Sequence, residues 1–307
     1  MSILRVSLFG RVKVTHGSWQ NEVKLTHKIQ LLLAYLLLGR NRLHPREVVA
    51  DLFWSEYDQE RARNCLNTAL WRLRQAIEPE NGMSGAYLIT SHSGEIGFNL
   101  QSEYWLDVAI FENLVSRISD VPVEKVDAGS IKKLSEGLDL YTGDLLESVY
   151  EDWALRAREQ KRLLYLNGLE YMLRYYQYHR NFSKGLECGN RILAIDPQRE
   201  EIHRDMMQLY IDSGKRSMAA RQYEICRQGL LKELGIEPMY ETQALYAQVV
   251  NGGDSSVYLE VEKPKDFNQA MQQLRQAQEN IDLARAQLVQ ALYYLKQTAP
   301  TQIQPDR

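Results

Sequence analysis

Apolar and polar positions change period several times along this 307-residue chain. From Ile3 to Phe9 and again from Arg11 to Thr15 they alternate, the period-two mark of a strand with one buried face. Gly10 separates the two runs, His16-Gly17-Ser18 is turn chemistry, and Val23–Leu25 suggests a third short strand. Lys28–Leu38 is apolar almost all round, which predicts a buried helix, entered at Thr26 and ended at Gly39. Pro45 suits the first turn of a second helix over Arg46–Trp54, with Val48, Val49, Leu52 and Phe53 inward. A third helix is predicted over Glu60–Ile77, where Ala62, Leu66, Ala69, Leu70, Leu73, Ala76 and Ile77 form one apolar stripe. Strand character returns in Ala86–Thr90 and Glu95–Leu100, which flank Ser91-His92-Ser93-Gly94 as a hairpin.

From Asp107 onward the pattern is helical. Val108–Ser119 and Ser130–Leu140 read as helices, and a long helical run ends near His179. Arg180–Glu187 aligns with Gly214–Arg221 at an offset of 34 residues, and Met172 and Tyr176 align with Met206 and Tyr210 at the same offset. That is the tetratricopeptide period, two helices per repeat, with Gly185 and Ala219 at the site where the helices cross. The tyrosines of this region, Tyr171, Tyr175, Tyr176 and Tyr178, read as packing between helices. Asn251–Ser256 is a flexible joint. After it, Phe267, Ala270, Leu274, Ala277, Ile281, Ala284, Leu288, Ala291 and Leu295 alternate spacings of three and four, a coiled-coil register. The alternation of large residues with alanine suits a parallel dimer, an antiparallel pair or docking on another helix, and neutral flanking residues do not choose between them.

Composition changes the picture in one respect. Hydrophobic content of 44% and charge of 25% are ordinary for a globular protein, and the net charge is -3. Residues 1–100, however, hold twelve basic and nine acidic side chains, a balance of +3, against 25 and 31 in the remainder. A polyanionic partner would meet the N-terminal third. No apolar run approaches the ~20 residues of a membrane span, and the N-terminus has no signal-peptide run. Cys65, Cys188 and Cys226 lie far apart without a Cys-x-x-Cys partner, which suggests neither zinc nor a disulfide framework and fits a reduced cytoplasm.

The chemistry concentrates on the third helix. Opposite its apolar stripe stand Arg61, Arg63, Asn64, Asn67, Thr68, Trp71, Arg72, Arg74 and Gln75, and from Arg61 to Ile77 there are four arginines and no acid. Arginine grips phosphate and guanine edges, and short amides and hydroxyls read base edges. Trp71 has two readings, covering the edge of the core or stacking against sugar and a thymine methyl. The hairpin tip carries no Lys or Arg, so it supplies at most hydrogen bonds from His92 or Ser93, and His92 reads first as a plain exposed loop residue. No catalytic constellation emerges. Asp212–Ser217 lacks the first glycine and the Ser/Thr of a P-loop, and there is no His-Glu-x-x-His or Gly-x-Ser-x-Gly. The chain therefore reads as a non-enzyme with no cofactor.

Strands, three helices and a hairpin are the order of a winged helix-turn-helix. Leu66–Arg74, with the N-terminal sheet, resembles the OmpR-type winged-helix domain, and that resemblance places Arg72 and Arg74 on DNA-gripping arginines and Thr68 on a base-facing position. Leu140–Glu170 and Ile192–Pro238 resemble the bacterial transcriptional activator domain. Together the two resemble the Streptomyces antibiotic regulatory protein family, whose members bind directly repeated promoter sites and recruit RNA polymerase. The expectation is a mainly α chain: a winged helix-turn-helix with small antiparallel sheets (1–102), a tetratricopeptide-like activator domain (103–250), a linker (251–264), a dimerising heptad helix (265–298) and a disordered tail (299–307). The expected function is a cytoplasmic, sequence-specific DNA-binding activator, homodimeric through Leu274, Ala277, Ile281, Ala284, Leu288, Ala291 and Leu295. The alternative is a repeat scaffold that senses a protein or ligand, with DNA contact secondary.

Overall fold

In the computed structural model, two short strands, β1 (Leu4–Ser7) and β2 (Lys13–His16), pair antiparallel with Leu4 opposite His16. Residues 3–16, 22–78, 85–117 and 121–251 are described; the heptad segment 265–298 and the tail lie outside them. Three helices follow: α1 (His27–Leu38), α2 (Arg46–Trp54) and α3 (Gln59–Ile77). A hairpin of β3 (Leu88–Thr90) and β4 (Ile96–Phe98) comes next, with Leu88 opposite Phe98. Then β5 (Tyr104–Leu106) returns to pair parallel with β1, giving the sheet order β2-β1-β5. Seven helices complete the described chain: α4 (Asp107–Val115), α5 (Ala128–Leu138), α6 (Asp152–Tyr178), α7 (Phe182–Ile195), α8 (Glu200–Asp212), α9 (Arg216–Leu234) and α10 (Tyr240–Val250). The packing from β1 to the first half of α10 belongs to one compact unit that ends at Leu245. No described helix is long and apolar enough to cross a membrane.

The third strand is a correction. Val23–Leu25 forms no strand; it contributes only the hydrogen bond from Val23 N to Val14 O, beside a single bridge between Thr15 and Glu22. Three residues before the start of α1 are too few to extend the ladder along the outer edge of β2, and the third strand of the sheet is instead Tyr104-Trp105-Leu106, on the other side of β1. The face of α2 is also corrected. Val49, Ala50, Phe53 and Trp54 are buried, whereas Val48 and Leu52 are 53% and 42% exposed. The helix is rolled by one residue from the expected face, because the indole of Trp54 buries more apolar area than the side chain of Val48.

α1 runs through the centre of the winged-helix part, with Leu32, Leu33, Ala34, Leu36 and Leu37 fully buried. β1 is tied to α4 by one carboxylate. Asp107 Oδ2 accepts from Ser7 Oγ at 2.6 Å, Leu8 N at 2.8 Å and Phe9 N at 3.0 Å, while Oδ1 accepts from Val108 N at 2.7 Å. Burial pushes this carboxyl above its usual range, against those four donors. A second tie is Glu112 on α4, between Arg40 at the end of α1 (2.5 Å) and Lys161 on α6 (2.7 Å). The side chains of Arg40 and Lys161 are 12% and 15% exposed, so this ion triplet is shielded from solvent and salt.

In the helical part each of α6, α7, α8 and α9 packs on its neighbour. The 34-residue period is written in the backbone. α6 and α8 end at Tyr178 and Asp212, and α7 and α9 begin at Phe182 and Arg216. Asn181 N donates to Tyr176 O and Lys215 N to Tyr210 O, both at 2.8 Å, so the same turn closes both pairs. That turn needs a left-handed residue, supplied by Gly214 (φ 75°) in one repeat and by Arg180 (φ 55°) in the other. At the crossing, Ala219 is fully buried, and a Cβ on Gly185 would come within 3.0 Å of Leu209.

Candidate nucleic-acid interface

The orientation of α3 is set from behind. Asp58 caps it, its carboxylate accepting from Arg61 N at 2.9 Å, and Ala62, Leu66, Ala69, Leu70, Leu73 and Ile77 are all buried. Leu66, Leu70, Leu73 and Ile77 each contribute ~1.5–3 kcal/mol of burial, enough to forbid a roll of the helix. The opposite face is therefore held outward. Arg61, Arg63, Asn64, Asn67, Thr68, Trp71, Arg72 and Gln75 are exposed, and Arg74 is half-buried. Trp71 is 61% exposed, so its indole does not belong to the core.

Helical spacing sorts these side chains. At 3.6 residues per turn, Arg61 and Arg72 fall on one flank, Arg63 and Arg74 on the other, and Asn64, Asn67 and Trp71 between them. Each arginine pair spans eleven residues, about 16 Å of helix axis.

The four guanidinium groups have different surroundings. That of Arg61 lies over the Tyr57 ring at 4.3 Å. Arg63 pairs with Glu47 of α2 at 2.8 Å; both ends are more than half exposed, so the pair contributes well under ~1 kcal/mol and exchanges readily for another anion. Arg74 donates to Thr90 Oγ1 of the hairpin at 3.1 Å, joining α3 to β3, and its buried Nε has no partner among the described residues. Arg72 makes no hydrogen bond or ion pair among the described residues. It lines a cleft with Thr26, Lys28, Arg61, Asn64 and Thr68.

The polar side chains are partly committed as well. Thr68 Oγ1 donates to Asn64 O at 2.9 Å. Asn67 Oδ1 accepts from Arg46 Nη1 at 2.6 Å, which leaves its amide N–H groups as the outward donors. At the hairpin tip Ser93 Oγ donates to Glu95 Oε2 at 2.9 Å and lies 2.7 Å from Ser91 Oγ, so the hydroxyl is spent within its own turn. His92 is exposed and makes no hydrogen bond among the described residues.

Arg46 is the residue the sequence reading missed. From the first turn of α2 its Nε donates to Gly94 O at 2.7 Å while Nη1 holds Asn67, so one guanidinium links α2, α3 and the hairpin. Burial, then the neighbouring charge of Arg74, lowers its pKa. A hairpin tip without basic residues of its own thus receives a cation from α2. The backbone fixes the hairpin in the same place: His44 N donates to Ile96 O at 2.8 Å, and Ile96 N returns the bond at 2.9 Å. The only available sequence signal was an arginine directly after Pro45 at a helix start.

The buried thiols of Cys188 and Cys226 are pushed up to about 12 by desolvation, which keeps them protonated and un-nucleophilic at neutral pH.

Comparison with known proteins agrees with this architecture. Residues 106–250 match the bacterial transcriptional activator domain. The transcriptional regulatory protein MoaR1 of Mycobacterium tuberculosis is 24% identical over 241 residues, 73% of this chain and 72% of MoaR1. The regulatory protein AfsR of Streptomyces griseus is 24% identical over 276 residues, 86% of this chain but 26% of the much longer AfsR. Among solved structures, Mycobacterium tuberculosis EmbR, determined in complex with a low-affinity phosphopeptide, superposes with a TM-score of 0.62 at 20% identity. That match covers 82% of this chain and 66% of EmbR, and it shows a shared fold. A winged helix-turn-helix thus stands ahead of a segment that matches the bacterial transcriptional activator domain, and the chain is similar to transcription regulators that join the two, as the Streptomyces antibiotic regulatory proteins do.

Proposed function

We propose that the protein is a sequence-specific DNA-binding activator that lays α3 in the major groove of repeated promoter sites and recruits RNA polymerase through its repeat helices. The observation that carries the reading is the arrangement on α3: two flanking rows of arginine and, between them, a strip of amides and one indole, with the opposite side locked in the core. A helix seated in the major groove has a sugar–phosphate wall on each side and base edges below, which matches cations at the margins and donors in the middle. Arg61, Arg63 and Arg74 would then hold backbone, Asn64, Asn67, Thr68 and Arg72 would read bases or adjacent phosphates, and Trp71 would stack against sugar or a thymine methyl. Direct repeats would be served by two copies paired through the heptad residues Leu274 to Leu295. Deleting residues 265–307 should then halve the sedimentation mass.

The test is selection of bound sequences from a random duplex pool with the full chain, followed by titration of the winning site. Arg72→Ala should cost ~1–3 kcal/mol at that site and relax its sequence preference. Binding that is salt-sensitive but indifferent to sequence would overturn the reading and favour the scaffold alternative.

A further inference from the structure

The outward Val48 and Leu52 of α2 do not face empty surface. They form one wall of a cleft of about 690 Å³ between the winged-helix part and α6. That volume falls in the range of small-molecule sites. The inner surface is aromatic. Tyr35 and Trp153 meet edge-on at 5.4 Å, and the His44 ring lies 4.9 Å from Tyr35. Leu38 and Ala157 add apolar surface, and Arg42, Arg156, Asp51 and Gln160 complete the lining. Arg42 and Arg156 make no side-chain hydrogen bond or ion pair among the described residues, and Asp51 pairs with neither. The cleft therefore combines an aromatic surface that accepts a flat body, two apolar side chains exposed where the core would have taken them, and two uncommitted guanidinium groups against one carboxylate.

We propose that this cleft is an effector site for a small amphipathic carboxylate: an apolar body packed between Val48, Leu52, Tyr35 and Trp153, and an acidic group held by Arg42 and Arg156. The occupant would touch α2 and α6 together, bridging the DNA-facing helices and the repeat helices. The inference does not rest on DNA binding, and it is tested without DNA.

The experiment is calorimetric titration of the full-length protein with naphthoate and with phenylbutyrate, each against its neutral amide. The acids should bind at one site per chain and quench Trp153 fluorescence in a protein whose other tryptophans are replaced by Phe. The amides should bind at least about tenfold more weakly, since they lose the charge-assisted hydrogen bonds. In wild-type tryptophan background, Arg42→Gln with Arg156→Gln should weaken the acids by a similar factor. Both side chains are exposed, and circular dichroism verifies that this variant is folded. Leu52→Trp, which fills the cleft from an exposed position, should abolish binding of acid and amide alike. No binding of either acid at millimolar concentration, equal binding of acid and amide, or binding unchanged in the arginine or Leu52 variants would each overturn the proposal.

Discussion

Asn67 shows how a single side chain can be read differently once its neighbours are known. A free asparagine in the major groove pairs with adenine through both its oxygen and its amide. Here Arg46 occupies one lone pair of the oxygen at 2.6 Å, while the amide N–H groups are uncommitted. Under the proposed function, Asn67 would address an acceptor such as guanine O6 or N7 or thymine O4. Arg46→Ala releases the oxygen, and the base preferred at that one position should shift toward adenine in a selection experiment, with neighbouring positions unchanged. If Arg46 only grips phosphate, the variant will weaken all sites alike. His203 is a second residue whose state follows from its partners. Its Nε2 donates to Pro197 O at 3.0 Å, Nδ1 accepts from Gln222 Nε2 at 2.7 Å, and burial lowers its pKa. The unfolded chain therefore takes up this proton first. The contribution of the neutral ring is complete above the unfolded value of about 6.5 and is lost as pH falls through the lower folded value. Chemical denaturation at pH 7.5 and pH 5 should show a smaller loss of stability for His203→Gln than for the unmodified chain.

At the level of elements, the sequence was most informative where a local pattern decides the outcome. The stripe of α3 follows from spacing alone, and all of its large aliphatic residues are buried. The repeat turn was legible for the same reason, since one local hydrogen-bond pattern recurs after 34 residues. Elements set by distant partners were not legible. Arg46 is defined by residues 21 and 48 positions away, β5 by a strand a hundred positions away, and the roll of α2 by competition among Val48, Leu52 and Trp54 for one place in the core. The two repeat turns also differ in one testable respect. Arg180 sits at φ 55°, where its repeat partner is Gly214. A non-glycine residue pays about 1 kcal/mol or more in that conformation, partly offset by the larger entropy of glycine in the unfolded chain. Arg180→Gly should therefore raise stability by ~0.5–1 kcal/mol, read as a higher denaturation midpoint with unchanged slope. An unchanged or lower midpoint would mean that the aliphatic stem of Arg180 compensates.

For the whole molecule, two small clusters join the part that resembles a DNA reader to the part that resembles an activator. Asp107, the first residue of α4, holds the backbone that leaves β1, and Glu112 connects α1 to α6. Asp107→Ala would strip the acceptor from Ser7 Oγ, Leu8 N and Phe9 N and should cost ~3 kcal/mol or more, whereas Asp107→Asn, which keeps one oxygen for those donors, should cost roughly half. Equal losses in thermal unfolding would show that charge rather than hydrogen bonding holds the joint. The cleft lined by Val48, Leu52 and Trp153 lies between the same two parts.

The parallel pairing of Leu4 with Tyr104 has a consequence for biogenesis. On the ribosome the first strand emerges about a hundred residues before the one that completes its sheet, a delay of roughly 5–20 s at ordinary synthesis rates. Throughout that interval the nascent chain exposes an unpaired edge beside the oily first helix. Fragments that stop short of Leu106 would prolong the interval indefinitely, and they are the ones expected to need a chaperone or to precipitate.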